Sequence, residues 1–399
     1  MDAFYRPTWV EISLDALRSN IEGFQKVLPA GMKIMAVVKA DAYGHGAVGV
    51  SKEAISAGVD YLGVAFIDEA LELRNAGITA PILVLGYTPP EGLEMARQKD
   101  ITIAVYSYEV LDELKRQERE QMLQDRAARK KLKIHIKLDT GMGRLGLHTE
   151  QDAIPFIEQA LTLADVEVEG LFTHYANADE VDKAYTYEQY RRFERIVEHF
   201  KRREIDFPYI HAGNSAAAID LPHLTYSMVR LGISMYGLYP SEDVNQEKIE
   251  LKPVMSLKTG IVHLKTLPPN AGISYGTIYH TKTDEQIATL PIGYADGYSR
   301  MLSCKAEALI RGRRVSIVGR ICMDQCLVNV TQVPDVQVSD EVVLVGEQEG
   351  ERITVEDVAR QLGTVNYEFI CMISHRVARV YVRNGIREDV INPLMRHRY

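Results

Sequence analysis

The sequence has few cysteines, no long apolar run and no recognisable leader. Its four cysteines among 399 residues stand at positions 304, 322, 326 and 371 without a C-x-x-C pair, which argues against a disulfide framework and against a zinc site. No apolar run approaches the roughly 18 residues that a membrane helix needs. The first residues, MDAFYRPTWVEISL, lack the basic segment and apolar core of a secretory signal. We therefore expect a cytoplasmic protein with reduced thiols and no membrane partner.

Basic residues are also fewer than acidic ones. Lys and Arg number 46 against 55 Asp and Glu, which gives a formal charge of −9. Since contact with a phosphate backbone needs a basic excess, this balance argues against a nucleic-acid partner. One basic stretch, Arg126–Lys133, stands among acidic residues in a long polar segment and is typical of a solvated helix face.

Between about residues 30 and 240, short apolar runs alternate with amphipathic stretches, a pattern that predicts right-handed βαβ units and a parallel sheet. Eight such units in about 210 residues fit a closed (β/α)8 barrel better than an open sheet. The predicted strands are Ile34–Lys39, Tyr61–Ala65, Ile82–Gly86, Ile101–Val105, Leu132–Leu138, Val168–Thr173, Tyr209–Ala212 and Met228–Leu231. The predicted helices include Val48–Ala57, Asp68–Ala76, Glu109–Arg129, Asp152–Leu163 and Asp182–Arg203.

The pattern changes after about residue 250, where short apolar runs are separated by Gly, Pro and Asp turns. This is typical of antiparallel β structure. The predicted elements there are strands at Gln286–Ile292, Val315–Val318, Cys326–Val330 and Glu341–Val345 and a helix at Val355–Leu362. The polar segment Pro240–Lys252 suits a linker. We therefore predict an α/β protein with an N-terminal (β/α)8 barrel, residues 1–245, and a C-terminal mostly antiparallel β domain, residues 246–399.

Lys39 ends the first predicted strand, in the segment AVVKADAYGHG. Because the carboxyl ends of barrel strands carry the catalytic loops, this position deserves a functional hypothesis. A lysine there is most simply an end-of-strand charge whose stem packs on apolar surface. An amine at the apolar mouth of a barrel is instead desolvated, which favours its neutral form and makes it a competent Schiff-base nucleophile. Gly44 and Gly46 allow the close backbone approach that a bulky cofactor requires.

The later strand ends carry further polar residues. Taken alone, each has a structural interpretation: an ion pair, a core histidine or a helix N-cap. The starts at Asn214–Ser215 and Gly232–Ile233 also present N–H groups that could hold a phosphate. In chain order these residues are Asp139, Arg144, His174, His211, Asn214, Ser215, Arg230, Gly232 and Ile233.

One segment suggests a different cofactor. The run Gly141-Met-Gly-Arg-Leu-Gly146 matches the glycine pattern of dinucleotide-binding proteins. In that motif the last glycine packs the first helical turn of the first βαβ unit against the sheet. Here the helix is predicted to begin later, with Thr149 as N-cap, and the unit is the fifth. The nicotinamide interpretation is therefore the weaker one.

Taken together, the motifs of this chain resemble those of the alanine racemase family. The matching blocks, in the family's order and spanning nearly the whole chain, are AVVKADAYGHG, KLDTGMGRLG, THYANADE, HAGNSAA, VRLGISMYGL, GISYG, PIGYADGY, GRICMDQ and NYEF. The resemblance implies a pyridoxal 5'-phosphate (PLP) enzyme that interconverts L- and D-alanine by a two-base mechanism and supplies D-alanine for peptidoglycan. It also implies a homodimer in which each site borrows residues from the partner.

The resemblance also implies a role for individual residues. Lys39 would carry PLP as a Schiff base and act as one base, and Tyr275 would act as the other. The remaining matches are Tyr43, Ser215, Gly232, Ile233 and Tyr367 near the phosphate, Arg230 at the pyridine nitrogen with His174 as its hydrogen-bond partner, Arg144 and Met323 at the substrate carboxylate, Tyr294 at the entrance, and Lys137 as a carbamylated lysine. Asn214, at the helix start described above, is a further candidate for cofactor binding. The segment Gln117–Lys131 is longer and more charged than the family implies, which bears only on a surface helix.

Three other functions stay open at this point. A barrel-plus-β PLP decarboxylase would carry a catalytic cysteine block near the C-terminus, whereas GRICMDQ follows the racemase pattern. A PLP-binding regulatory protein would be a barrel alone, which the second domain and Tyr275 argue against. A racemase for larger amino acids is typically exported, which the N-terminal sequence disfavours. An assay of D/L interconversion against CO2 release separates these functions.

Overall fold

The computed structural model describes residues 3–123 and 130–395. The chain divides into two compact units. The barrel unit comprises Arg18–Ala42 and Val50–Lys252, and the β unit comprises the described residues of Met1–Leu17, Tyr43–Gly49 and Pro253–Tyr399. The end of the predicted helix Glu109–Arg129 and part of the charged segment Gln117–Lys131 lie outside the described residues. Within the described ranges, no helix is both long and apolar enough to cross a membrane.

Eight parallel strands build the barrel unit. After β1 (Thr8–Ser13), which belongs to the β unit, they are β2 (Lys33–Val37), β3 (Tyr61–Val64), β4 (Ile82–Val84), β5 (Thr102–Val105), β6 (Leu132–Lys137), β7 (Val166–Phe172), β8 (Tyr209–His211) and β9 (Met228–Leu231). From β2 to β8, each strand pairs with the next in sequence, and β9 pairs with β2. Just before β9, Ser227 N–H donates to Ile210 O of β8 at 2.9 Å. The predicted (β/α)8 barrel is confirmed.

The helices of this part of the chain alternate with the strands. Because both faces of each strand are covered, the strands are short and almost continuously buried, as a parallel sheet requires. The helices are α1 (Leu14–Val27), α2 (Lys39–Tyr43), α3 (Ala47–Ser56), α4 (Ile67–Asn75), α5 (Leu93–Gln98), α6 (Tyr108–Leu123), α7 (Glu150–Leu161), α8 (Ala184–Lys201) and α9 (Ser215–Asp220).

The β unit is mostly antiparallel, as predicted. Its strands after β1 are β10 (Met255–Gly260), β11 (His263–Leu267), β12 (Gly272–Ile273), β13 (Tyr279–His280), β14 (Glu285–Leu290), β15 (Glu307–Ile310), β16 (Arg313–Ser316), β17 (Cys326–Asn329), β18 (Glu341–Gln348), β19 (Glu351–Ile353), β20 (Ala378–Arg383) and β21 (Ile386–Ile391). Its largest sheet has the order β16-β15-β18-β10-β1-β20-β21, in which only the β1–β20 pair is parallel. The helices are α10 (Val355–Leu362) and α11 (Asn366–Met372).

Candidate active site

The turn that follows Lys39 is left-handed. Ala40, Asp41 and Ala42 have φ values of 52°, 52° and 53°, a conformation that costs about 1–2 kcal/mol for each residue with a Cβ. Such a turn persists only where its surroundings hold it. Glu69 does so, because one of its carboxylate oxygens accepts from Ala40 N–H at 2.7 Å and the other from Ala65 N–H at 2.6 Å. The carboxylate thus ties the residue after Lys39 to the end of β3.

Cations gather at the carboxyl ends of the barrel strands. Burial of Lys137, together with the nearby charges of Arg230, Arg144 and Lys39, lowers the pKa of its amine to about 7. Its Nζ lies 5.1 Å from the centre of the Phe172 ring. Because burial and these like charges together neutralise Lys137 in part, this end of the barrel favours an anionic ligand.

Arg230 is the most tightly held member of this group. Its Nη1 donates to His211 Nδ1 at 2.8 Å, and its Nη2 donates to Thr173 O, Ala212 O and His174 Nδ1 at 2.8, 2.9 and 3.0 Å. Burial lowers its pKa to about 10, so it stays protonated at neutral pH. Burial and the charge of Arg230 hold the pKa of both histidines well below the usual range. The two imidazoles are therefore neutral acceptors.

Two short helical turns form a cradle of small groups. The side chain of Asn214 caps α9, as predicted, and Ser215 is the first residue of that helix. Ser215 Oγ accepts from Gly232 N–H at 3.0 Å, just before the 3-10 turn that begins at Ile233. Within the described residues, the buried Oγ of Ser234 has no hydrogen-bond partner. An unsatisfied hydroxyl beside two helix starts is what a bound phosphate would complete.

The loop after β6 presents Arg144 to solvent. Asp139 Oδ1 accepts from the N–H groups of Gly141 and Gly143, each at 3.0 Å, which folds the loop back on the strand end. No helix begins at Gly146, the last glycine of the run. The next helix, α7, starts at Glu150 with Thr149 as its N-cap. The N-cap prediction is confirmed, and the dinucleotide interpretation is wrong.

Tyr43 and Tyr367 lie together in the β unit, with ring centroids 6.3 Å apart. Burial raises the pKa of Tyr43, so its hydroxyl remains a hydrogen-bond donor at neutral pH. The carbonyl of the next residue, Gly44, accepts from Arg379 Nε at 3.0 Å, and a side chain at position 44 would overlap the carbonyl of Ile370. Gly44 thus allows a close approach of the protein's own backbone, and the approach of a cofactor to Gly44 and Gly46 stays a prediction.

Tyr275 stands at the tip of the hairpin formed by β12 and β13 and is 72% exposed. Ser274 before it has φ 62° and ψ −173°, a backbone region that residues with a Cβ rarely occupy. Ser274 Oγ donates to Arg320 O at 2.6 Å, which holds this conformation. The hairpin therefore projects the tyrosine ring outward on a fixed backbone.

Tyr294 and Met323 are neighbours, also in the β unit. The N–H groups of Tyr294 and Ala295 donate to Cys322 O and Met323 O, both at 3.0 Å. The side chains of Tyr294 and Met323 are 42% and 53% exposed. Both are thus available to limit the size of a ligand.

The predicted residues fall into four groups. The barrel unit holds the largest, namely Lys39, Lys137, Arg144, His174, Asn214, Ser215, Arg230, Gly232 and Ile233. The β unit holds Tyr43 with Tyr367, then Tyr275, and then Tyr294 with Met323. No individual role was predicted for His211, although it is the direct hydrogen-bond partner of Arg230. The sequence feature that could have indicated a role was the position of this histidine, a polar residue, in a buried apolar strand.

Comparison with known proteins supports one family over the whole length. The model described as alanine racemase, N-terminal domain, matches residues 12–240, and that of the C-terminal domain matches residues 254–381. Alanine racemase 2 of Caldanaerobacter subterraneus subsp. tengcongensis is 47% identical over 391 residues, 98% of each chain. The structure of alanine racemase from Clostridium difficile 630 shares 44% identity at a TM-score of 0.92 and covers 98% of this chain and 100% of that one. That of Bacillus anthracis with bound L-Ala-P shares 41% at 0.90 and covers 98% and 99%.

Proposed function

The chain belongs to the alanine racemase family, and from this premise we propose which of its residues bind PLP, which move protons and how two copies assemble. It is a PLP-dependent isomerase that interconverts L- and D-alanine. We place PLP on a barrel domain, residues 1–245, and the second base on a C-terminal domain, residues 246–399. The observation that carries the proposal is the cluster of Lys39, Lys137, Arg144 and Arg230 at one end of the barrel, which suits an anionic cofactor. The absorbance of purified protein and an assay of D/L interconversion test it.

The barrel unit fits PLP. Lys39 would hold the cofactor covalently, and Arg230 would face the pyridine nitrogen. Ser215, Gly232 and Ile233, beside the unsatisfied Ser234 hydroxyl, would hold the phosphate. By the family match, Tyr43 and Tyr367 also serve the phosphate, and Arg144 and Met323 serve the substrate carboxylate. Asn214, which caps α9, would also contact the cofactor.

Racemisation needs a proton acceptor on each face of the α-carbon. PLP, when bound, delocalises the electron pair that remains after the α-proton has left. We assign the Lys39 amine to the face from which D-alanine loses its proton and the Tyr275 hydroxyl to the face from which L-alanine loses it. The base that does not remove the proton returns one to the opposite face. Arg230, held as a cation by hydrogen bonds to neutral acceptors, can only donate to the pyridine nitrogen and would keep it unprotonated.

We propose a homodimer with shared sites. The support from this chain is that Tyr275 and Ile278, close together on the same hairpin, are 72% and 48% exposed. Adjoining exposed apolar side chains are found at protein interfaces. A catalytic tyrosine that is mostly exposed in a single chain also suits a site completed by a partner. D-alanine for peptidoglycan and a cytoplasmic location remain predictions, which a D-alanine auxotrophy test and cell fractionation can check.

Substrate size is the first testable property. Tyr294 and Met323 should restrict the entrance, so alanine should react well, serine less well, and lysine or arginine hardly at all, because a bulky side chain would clash. Tyr294→Ala should raise kcat/KM for the larger substrates relative to alanine, whereas Met301→Ala, an exposed control in the same unit, should not. A lysine kcat/KM within about tenfold of that for alanine in the unmodified protein would contradict this assignment.

Lys137 provides a pH-dependent prediction. A carbamate forms from the neutral amine, and a pKa of about 7 gives Lys137 a large neutral fraction at neutral pH. Because deprotonation increases as the pH rises through about 7, uptake of 13C-labelled CO2 at Lys137 should increase over the same interval. Carbon-13 NMR of labelled protein measures it, with Lys137→Ala as the blank. A carbamate signal that persists in Lys137→Ala would remove the assignment.

A further inference from the structure

A linear series of hydrogen-bonded side chains, called the file below, runs through the barrel interior, away from the proposed cofactor site. Arg230 Nη1 lies 2.8 Å from His211 Nδ1, His211 Nε2 lies 2.9 Å from His135 Nδ1, and His135 Nε2 lies 3.2 Å from Glu169 Oε2. The four residues stand on β9, β8, β6 and β7. The two histidines are fully buried, and Arg230 and Glu169 are 4% and 6% exposed. Such a buried file must satisfy its own donors and acceptors.

The two ends of the file fix the direction of every hydrogen bond. A guanidinium only donates and a carboxylate only accepts, whereas a neutral imidazole does one at each nitrogen. His211 must therefore accept at Nδ1 and carry its proton on Nε2, from which it donates to His135. His135 in turn carries its proton on Nε2 and donates to Glu169. A second proton on either ring would leave two donors facing each other.

Glu169 has further donors that keep it ionised. It accepts from the Tyr61 hydroxyl at 2.7 Å and from Lys133 Nζ at 3.2 Å. Since Tyr61 gives its proton to Glu169, it must accept from Thr102 Oγ1, 2.7 Å away. Burial opposes ionisation of Glu169, but the hydrogen bonds from His135 and Tyr61 outweigh it and lower its pKa to about 2. Burial also disfavours the charged form of His135 and therefore lowers its pKa.

We propose that Glu169 is a positioning residue for Arg230. Acting through two neutral histidines, it determines that the proton of His211 lies on Nε2, which leaves Nδ1 as an acceptor that holds the guanidinium in one orientation. The effect of Glu169 on the reaction rests on the role proposed above for Arg230. The positions of the protons on the two histidines do not depend on that role. Glu169 itself bonds to neither Arg230 nor the residues assigned to PLP in the barrel unit.

The unmodified protein provides the first test. Nitrogen-15 NMR of histidine-labelled protein without added PLP reports which ring nitrogen carries the proton, and single histidine substitutions assign the signals. We expect His135 and His211 to be neutral, with the proton on Nε2, at neutral pH. A proton on Nδ1 of either ring, or on both nitrogens, overturns the proposal whatever the racemase activity. Loss of the proposed function alone would leave this result unchanged.

Three variants separate positioning from mere stability. Glu169→Met removes the acceptor at similar volume, so the proton of His211 should no longer be confined to Nε2. We expect kcat to fall about tenfold with the KM for alanine nearly constant, an effect of the size seen when residues that hydrogen-bond to metal ligands are replaced. Glu169→Gln keeps an oxygen for His135 and Tyr61. It loses the acceptor of Lys133, whose side chain is 39% exposed and can turn its ammonium to water, so this variant should rescue both properties. Tyr61→Phe leaves the Glu169–His135 bond and should keep the proton on Nε2 of His211.

The proposal fails if Glu169→Met folds with a lower Tm but keeps both the protonation of His211 and the kcat of the parent. If Glu169→Met does not fold, the unmodified protein and Glu169→Gln still decide, because a proton on Nδ1 in either one contradicts the file.

Discussion

Inactive Lys39→Ala protein mixed with inactive Tyr275→Phe protein should regain about a quarter of the wild-type activity per site once subunits have exchanged. In the proposed dimer, Tyr275 serves the barrel of the partner. A mixed dimer then has one site with both substitutions and one with neither. Since random pairing makes about half of the dimers mixed, about a quarter of all sites carry both bases. Racemase activity followed during subunit exchange gives the measurement.

The outcome separates a shared site from a site within one chain. If Tyr275 served its own chain, no mixed site would hold both bases, and activity would stay at background despite proven exchange. Mixing Lys39→Ala with the Lys39→Ala/Tyr275→Phe double variant should restore nothing and controls for exchange itself. Tyr279→Phe is a control on the same hairpin, because the hydroxyl that it removes donates to Glu285. This variant should be active without mixing.

Lys39 should carry the cofactor. Borohydride reduction of protein loaded with PLP, followed by peptide mapping, should place the pyridoxyl group on Lys39. Lys39→Ala should lose kcat by about 10²–10⁴, the typical contribution of a positioned acid or base. The reason is its place after β2, where the left-handed turn and Glu69 fix the backbone.

Lys137 is the matched control for this assignment. It lies in the same cation cluster, and its pKa of about 7 also gives it a nucleophilic neutral form. Label on Lys137 with Lys39 unmodified would refute the assignment. Lys137→Ala should still be labelled on Lys39.

The barrel was predictable because each of its strands is covered on both faces. Such strands appear as short, mostly apolar runs, and both ends of the strand Met228–Leu231 were predicted to the residue. Strand β1 was missed because it stands alone before the barrel pattern and its partners, β10 and β20, lie some hundreds of residues further along the chain. Local pattern contains no information on such pairing.

The candidate site shows the same division. Residues at strand ends could be proposed because a barrel collects them at one end. The file from His211 through His135 to Glu169 could not, since His135 lies within the run LKIHIK and its partners are set by the geometry of neighbouring strands. Nor did the sequence predict the left-handed turn after Lys39, because alanine and aspartate at those positions disfavour it.

That turn has a consequence for chirality within the protein itself. The φ of +52° at Ala40 is strained for an L-residue but lies in the region that a D-residue prefers. Ala40 is exposed, so its methyl group has room to point in the mirror-image direction. A semisynthetic chain with D-alanine at position 40 should therefore keep the Glu69 hydrogen bond and gain up to about 1–2 kcal/mol of stability. An enzyme that produces D-alanine thus contains, next to its proposed cofactor lysine, a backbone position that its own product would fit better than its substrate.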